Sequence, residues 1–138
     1  MKIWNLPPEY LDNYHLLEDY RNTVELFNEG SVEPDYELFL FLKAKLSEDE
    51  ISSRQLDDEV DEFLPDDDLP EASQYYTPTI EQVRKDVNAI MGVWETMIDE
   101  PYIDGLEEKV ERLSLTTYDE LYNDLIGELE EQRERWLL

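Results

Sequence analysis

Apolar residues return at three- and four-residue intervals along most of this chain. Tyr10, Leu11, Tyr14, Leu17, Tyr20, Val24 and Phe27 mark one face of a 3.6-residue period. The spacing predicts a helix that stops near Gly30, because glycine readily takes the left-handed conformation just past a helix end. A second element begins around Pro34 and carries the unbroken apolar run Leu38-Phe39-Leu40-Phe41-Leu42. Continuous apolarity does not by itself separate a central helix from a buried strand. The flanks, Pro34 before it and Lys43-Ala44-Lys45-Leu46 after it, favour a helix at the centre of the core.

Ser47 and Glu50 have the spacing of a capping box, in which the hydroxyl and the carboxylate satisfy each other's backbone amides. They predict a new helix with Ile51, Gln55/Leu56, Val60 and Phe63/Leu64 inward and Asp57, Asp58, Glu59, Asp61 and Glu62 largely outward, closed by Pro65. Residues 65–78 read as a long acidic loop, with Asp66-Asp67-Asp68, Pro70 and the pair Tyr75-Tyr76. Thr77-Pro78 reads as a cap followed by proline in the first turn of the next helix. That helix has the cleanest amphipathic pattern, with Ile80, Val83, Val87, Ile90, Met91, Trp94, Met97 and Ile98, and Asp99-Glu100-Pro101 closes it. A shorter helix with Ile103, Leu106, Val110 and Leu113 follows. Thr117 and Glu120 form a further capping box, opening a last helix with Leu121, Leu125, Leu129 and Trp136 on one side. No Asn-Gly or Asp-Gly pair separates alternating strands, and Asp104-Gly105 lies between helical patterns. The expected fold is all-α, a compact bundle of five or six helices forming one domain over residues 1–138.

Composition adds two constraints. Aromatic residues make up 12% of the chain, which argues for a packed core rather than an acidic disordered tail. Cysteine is absent, which removes disulfides, thiolate nucleophiles and cysteine-based metal sites. The amino end lacks the apolar stretch of a secretory signal, and the longest apolar run is far below the roughly 20 residues of a membrane span. A cytoplasmic protein with no membrane partner is the expectation.

Charge changes the picture most. The chain carries 37 Asp and Glu against 11 Lys and Arg, a formal net charge of -26. Residues 48–71 hold twelve of the acids with Arg54 as their single basic counterweight. Such a surface repels nucleic acid and anionic membranes and attracts basic proteins. A duplex with one charge per about 1.7 Å would carry 26 charges in about 44 Å. A folded chain of this length has a diameter of about 35–40 Å, from a radius of gyration of about 14 Å. The charge per length is of duplex order.

Carboxylates four residues apart on a helix lie about 6 Å apart along its axis and can face a basic groove as a row. Asp57/Asp61, Asp58/Glu62, Glu107/Glu111 and Glu130/Glu134 have this spacing, and Glu120, Asp124 and Glu128 make a row of three. The expected partner-binding residues are Asp57, Asp58, Asp61, Glu62, Asp66, Asp67, Asp68, Glu120, Asp124 and Glu128. Tyr75 and Tyr76 join them as aromatic anchors of the kind interfaces favour. For Trp4, Tyr10 and this tyrosine pair, completing the core is the more ordinary reading.

The expected partner is a basic DNA-binding or nucleic-acid-processing protein. The expected activity is inhibition of a nuclease, restriction or CRISPR complex by DNA mimicry. The alternative is an acidic partner without mimicry, such as an immunity protein, antitoxin or chaperone. Adaptation to high salt is a third reading, and a homodimer is compatible with each.

Catalysis has weak support. With 37 acids some carboxylates pair by composition alone, and useful acid/base pairs need contrasting environments. His15 is the sole histidine and lacks the reciprocal Glu-x-x-His elements of a di-iron bundle. Asp57, Glu59 and Asp61 have the alternation of calcium ligands without the loop glycine. Gly30, Gly92, Gly105 and Gly127 are too scattered for a phosphate loop. Neither metal nor cofactor is expected, and the chain reads as a binding protein rather than an enzyme.

Overall fold

The computed structural model describes residues 2–61, 63–65, 69–97 and 106–137, without the side chains of residues 97, 106, 107, 109 and 110. They form an all-α bundle of five helices: α1 (Asn13–Glu29), α2 (Pro34–Ser53), α3 (Ile80–Met97), α4 (Leu106–Leu115) and α5 (Tyr118–Leu137). Short 3-10 turns occupy Pro8–Tyr10 and Asp57–Glu59, and there is no strand among the described residues. α2 lies at the centre, packed on α1 on one side and α5 on the other; α5 also packs on α3, against which α4 folds.

Local chemistry explains most boundaries. Asp12 caps α1 by accepting from the His15 amide at 3.2 Å, and Gly30 ends it at φ 69°. Pro34 opens α2, where a missing N–H costs nothing. Thr117 and Glu120 form the expected capping box of α5, at 3.1 and 3.4 Å. At α3 the cap lies two residues beyond the expected Thr77-Pro78. Thr79 and Gln82 exchange the two bonds, at 3.2 and 2.8 Å, and Pro78 is buried in the preceding loop. The expected closure at Asp99-Glu100-Pro101, with Ile98 and Ile103, lies outside the described residues.

The capping box at Ser47 does not form. Residues 38–47 are all buried, so α2 runs straight through Ser47. The Ser47 hydroxyl has no hydrogen-bond partner among the described residues. The helix ends instead at a Schellman motif, in which the Gln55 amide reaches the Ser52 carbonyl and the Leu56 amide reaches the Ile51 carbonyl, at 3.0 and 2.9 Å. Gln55 takes the left-handed conformation, φ 60°, where glycine is usual. In place of the predicted helix over Ile51–Leu64 stand the last turn of α2, the 3-10 turn and, among the described residues beyond it, irregular chain. α2 ends at Ser53 and α3 begins at Ile80, so the connection starts before the expected 65–78 loop.

One connected core joins the elements. It takes Trp4, Leu6 and Leu11 from the amino-terminal segment, Leu16 and Tyr20 from α1, and Phe41, Leu42 and Ile51 from α2. Val87, Ile90 and Trp94 come from α3, Leu113 from α4, and Leu121, Leu125 and Leu129 from α5. Trp4 and Tyr10 are thus core residues. Within the core sits a fully buried ion pair: Lys43 Nζ donates to Asp19 Oδ2 at 2.5 Å, and Asp19 Oδ1 accepts from the Trp4 amide at 2.7 Å. Among the described residues, no helix is long and apolar enough to cross a membrane.

Removing one member of a buried pair leaves an uncompensated charge, which costs about 3–5 kcal/mol, whereas replacing both by apolar groups is often close to neutral. Asp19→Asn and Lys43→Met are each expected to lower unfolding free energy by about 3 kcal/mol or more in urea titrations. The double variant should lose less than either single one; strictly additive losses would exclude coupling between the two side chains. Gln55→Gly should raise stability by about 0.5–1 kcal/mol, since a left-handed non-glycine residue costs roughly 1–2 kcal/mol and glycine's extra chain entropy returns part of it. An unchanged or lowered urea midpoint would refute strain at this cap.

Candidate partner-binding surface

The basic side chains are used as internal staples. Lys45 is buried over the rings of Phe41 and Trp136, at 5.4 and 5.2 Å, and donates to Glu48 and to the Leu64 carbonyl. Lys2 reaches Asp86, a buried carboxylate on α3 that also accepts from the Asn5 amide. Arg54 ties the end of α2 to Glu50, Asn13 and the Pro8 carbonyl. Arg133 lies over the Tyr75 ring and donates to the Ser73 carbonyl, while Arg135 pairs with Asp49 at 3.0 Å. These cations are enclosed or fixed between elements, while Arg21, Arg84 and Lys85 stay exposed among the outward carboxylates.

The expected binding residues that the structure describes fall in three places: the turn after α2, the tyrosine pair and α5. Asp57, Asp58 and Asp61 are exposed, on the 3-10 turn and just beyond it. The Asp57/Asp61 pair is consequently no helical row. Glu62, Asp66, Asp67 and Asp68 lie outside the described residues. Tyr75 and Tyr76 serve packing: the Tyr75 hydroxyl donates to Glu130 at 2.7 Å, and Tyr76 meets Tyr36 and Phe39 edge-on while donating to Gln82. Burial, followed by the Glu130 carboxylate, raises the Tyr75 pKa.

The α5 row holds in part. Glu120 and Asp124 are exposed, whereas Glu128 is half-buried. At about 100° per residue, Glu120, Asp124, Glu131 and Glu134 fall within about 80° of one another, and all four are exposed. This stripe climbs about 21 Å along the axis. Glu131 and Glu134 were legible from the same periodicity, because the buried face Leu121, Leu125, Leu129 and Gln132 fixes which direction is outward. Glu128 points about 80° from Glu120 toward that buried face, which is why it leaves the row.

Glu128 lines a recess of about 220 Å³ together with Glu9, Asp49, Glu50, Glu131 and Arg135. Its Oε2 is buried without a hydrogen-bond partner among the described residues. Burial, and then the charges of Glu9, Asp124, Glu50 and Glu131, push its carboxyl up to about 7. At neutral pH this position holds a proton about half the time, so it contributes little to an anionic row.

His15 bonds to Asp12 through Nδ1 at 2.7 Å and packs edge-on against Trp4, a structural position at the start of α1. Among the described residues, no group of three or more His, Cys, Asp or Glu side chains is arranged to hold a metal ion.

The raised Glu128 carboxyl fixes a sign. The folded state holds its proton up to about pH 7 while the unfolded chain releases it near 4.5. The associated stability is therefore full below about 4.5 and lost as pH rises through about 7. Glu128→Gln should unfold like the parent at pH 4.5 and be more stable by about 1–2 kcal/mol at pH 8, a figure discounted for partial exposure. Urea titrations at both pH values check this, and a gap independent of pH would rule it out.

The chain matches no known family, no curated protein and no solved structure, so its sequence and geometry carry the functional argument.

Proposed function

We propose that this protein inhibits a DNA-binding or nucleic-acid-processing protein by occupying its basic cleft in place of DNA. The observation that carries the reading is the division of charge. Lys43 and Lys45 are buried and most other cations are tied to the chain's own groups, while α5 presents Glu120, Asp124, Glu131 and Glu134 as one exposed stripe. A helix holds such carboxylates at fixed spacing, and a basic groove made for phosphates would meet them without a change in the helix. The mechanism is competition, so a nuclease, restriction or CRISPR complex fits equally well as target.

A second reading is favoured by the densest acidic stretch. Asp57, Asp58, Glu59 and Asp61 lie on a tight turn and the bend just beyond it rather than in a repeating row. That irregular surface suits an immunity protein, antitoxin or chaperone that binds a basic protein away from its nucleic-acid site.

Release of a captured partner separates the readings. The full chain is immobilised, loaded with host lysate, and eluted with duplex DNA or with polyglutamate of equal charge. Under the preferred reading duplex DNA releases the partner more effectively, and affinity falls steeply with salt. Joint substitution Glu120→Gln, Asp124→Asn, Glu131→Gln and Glu134→Gln should weaken binding at least tenfold, about 1.4 kcal/mol. A complex that resists excess duplex would overturn mimicry and leave the second reading.

A further inference from the structure

We propose that the cleft between the carboxyl-terminal halves of α2 and α5 is a socket for an arginine side chain of the basic partner. The proposal rests on the reading that a basic partner exists. The cleft has a volume of about 520 Å³, within the range of roughly 300–1,000 Å³ typical of small-ligand sites. It adjoins the acidic turn, which contributes Asp57 to its lining.

Its chemistry suits a guanidinium. Phe63, Leu64, Pro65 and Trp136 supply apolar and aromatic wall. Arginine stacks on aromatic faces and is more weakly hydrated than an ammonium, so it enters a half-enclosed cleft at smaller cost than lysine. The charged lining has one more carboxylate than cations: Glu48, Asp49 and Asp57 against Lys45 and Arg135.

The existing pairings decide which carboxylate is open. Glu48 already accepts from Tyr20 and Lys45, and Asp49 accepts from Gln132 and Arg135 at 2.6 and 3.0 Å. Asp57 accepts from the Ser52 hydroxyl at 2.8 Å and has no ion pair among the described residues. It is exposed and keeps oxygen lone pairs for a forked guanidinium contact. An anion fits poorly because both lining cations are paired. Exposed Asp58, Glu59 and Asp61 on the adjoining chain would attract a basic segment toward the cleft.

Three hexapeptides alternating glycine with arginine, lysine or citrulline provide the test, titrated into the full ¹⁵N-labelled chain at 150 mM salt. Arginine and lysine peptides carry equal charge, so diffuse attraction to the acidic surface acts alike on both. The expected result is saturable movement of the Trp136 indole N–H and the Ser52 and Asp57 amides. Affinity for the arginine peptide should be at least threefold above that for lysine, and the citrulline peptide should have no effect.

Asp57→Asn keeps an acceptor for Ser52 and should remove that threefold preference, whereas Glu95→Gln, an exposed position on α3, should leave it intact. Equal binding of the arginine and lysine peptides, or absence of a response at Trp136, would overturn the socket. Either failure leaves displacement by duplex DNA to decide the broader reading. Conversely, a partner that resists DNA while the arginine preference persists would remove mimicry and retain the socket.

Discussion

The Asp19–Lys43 pair is the contact on which the arrangement turns. Lys43 sits in the middle of a helix buried over residues 38–47, where an unpaired ammonium would be intolerable. Asp19 meets it from α1 and uses its other oxygen to hold the Trp4 amide. One carboxylate thereby joins three segments distant in sequence. The register between α1 and α2 is specified by this pair as well as by apolar packing, since sliding either helix by a turn would separate the charges within the core.

The same device recurs at lower burial. Asp86 binds Lys2 and the Asn5 amide, tying the amino-terminal segment to α3, and Asp49 joins α2 to Gln132 and Arg135 of α5. These contacts oppose the self-repulsion of a chain carrying -26, which acts against compaction. They also shape the outside. Lys43 and Lys45, enclosed in the bundle, are withdrawn from screening the outward carboxylates, so their burial and the surface negativity share one origin.

Much of the fold was legible because local chemistry and tertiary packing agree. Gly30 stops α1, Thr117 and Glu120 open α5, and the 3.6-residue pattern selects Val83, Val87, Ile90 and Trp94 as the inner face of α3. Where the two conflict, packing prevails. Ser47 and Glu50 have the spacing of a cap, yet the buried run 38–47 places Ser47 inside α2, which continues to a stop built on Gln55, without the usual glycine signature.

The surface was less legible for a related reason. Lys43 and Lys45 look like solvent-facing ends of a helix until α2 is seen to be enclosed. Glu128 looks like a member of a row until its direction is measured from Leu121 and Leu125. A carboxylate's place in sequence gives its spacing, but its charge state depends on elements packed beside it.

The acidic shell consequently contains two unlike surfaces. On α5, helical periodicity repeats carboxylates in a nearly straight stripe whose geometry is independent of any partner. Around Asp57–Glu59, a tight turn sets a carboxylate with no ion pair among the described residues beside an aromatic-walled cleft. A regular stripe matches any groove with regularly spaced cations and so favours affinity over discrimination. A single carboxylate at a shaped cleft does the reverse, because it rewards one side-chain geometry and leaves others partly desolvated. If both meet the same partner, the stripe supplies long-range attraction and the cleft selects among basic proteins that the stripe alone would bind alike.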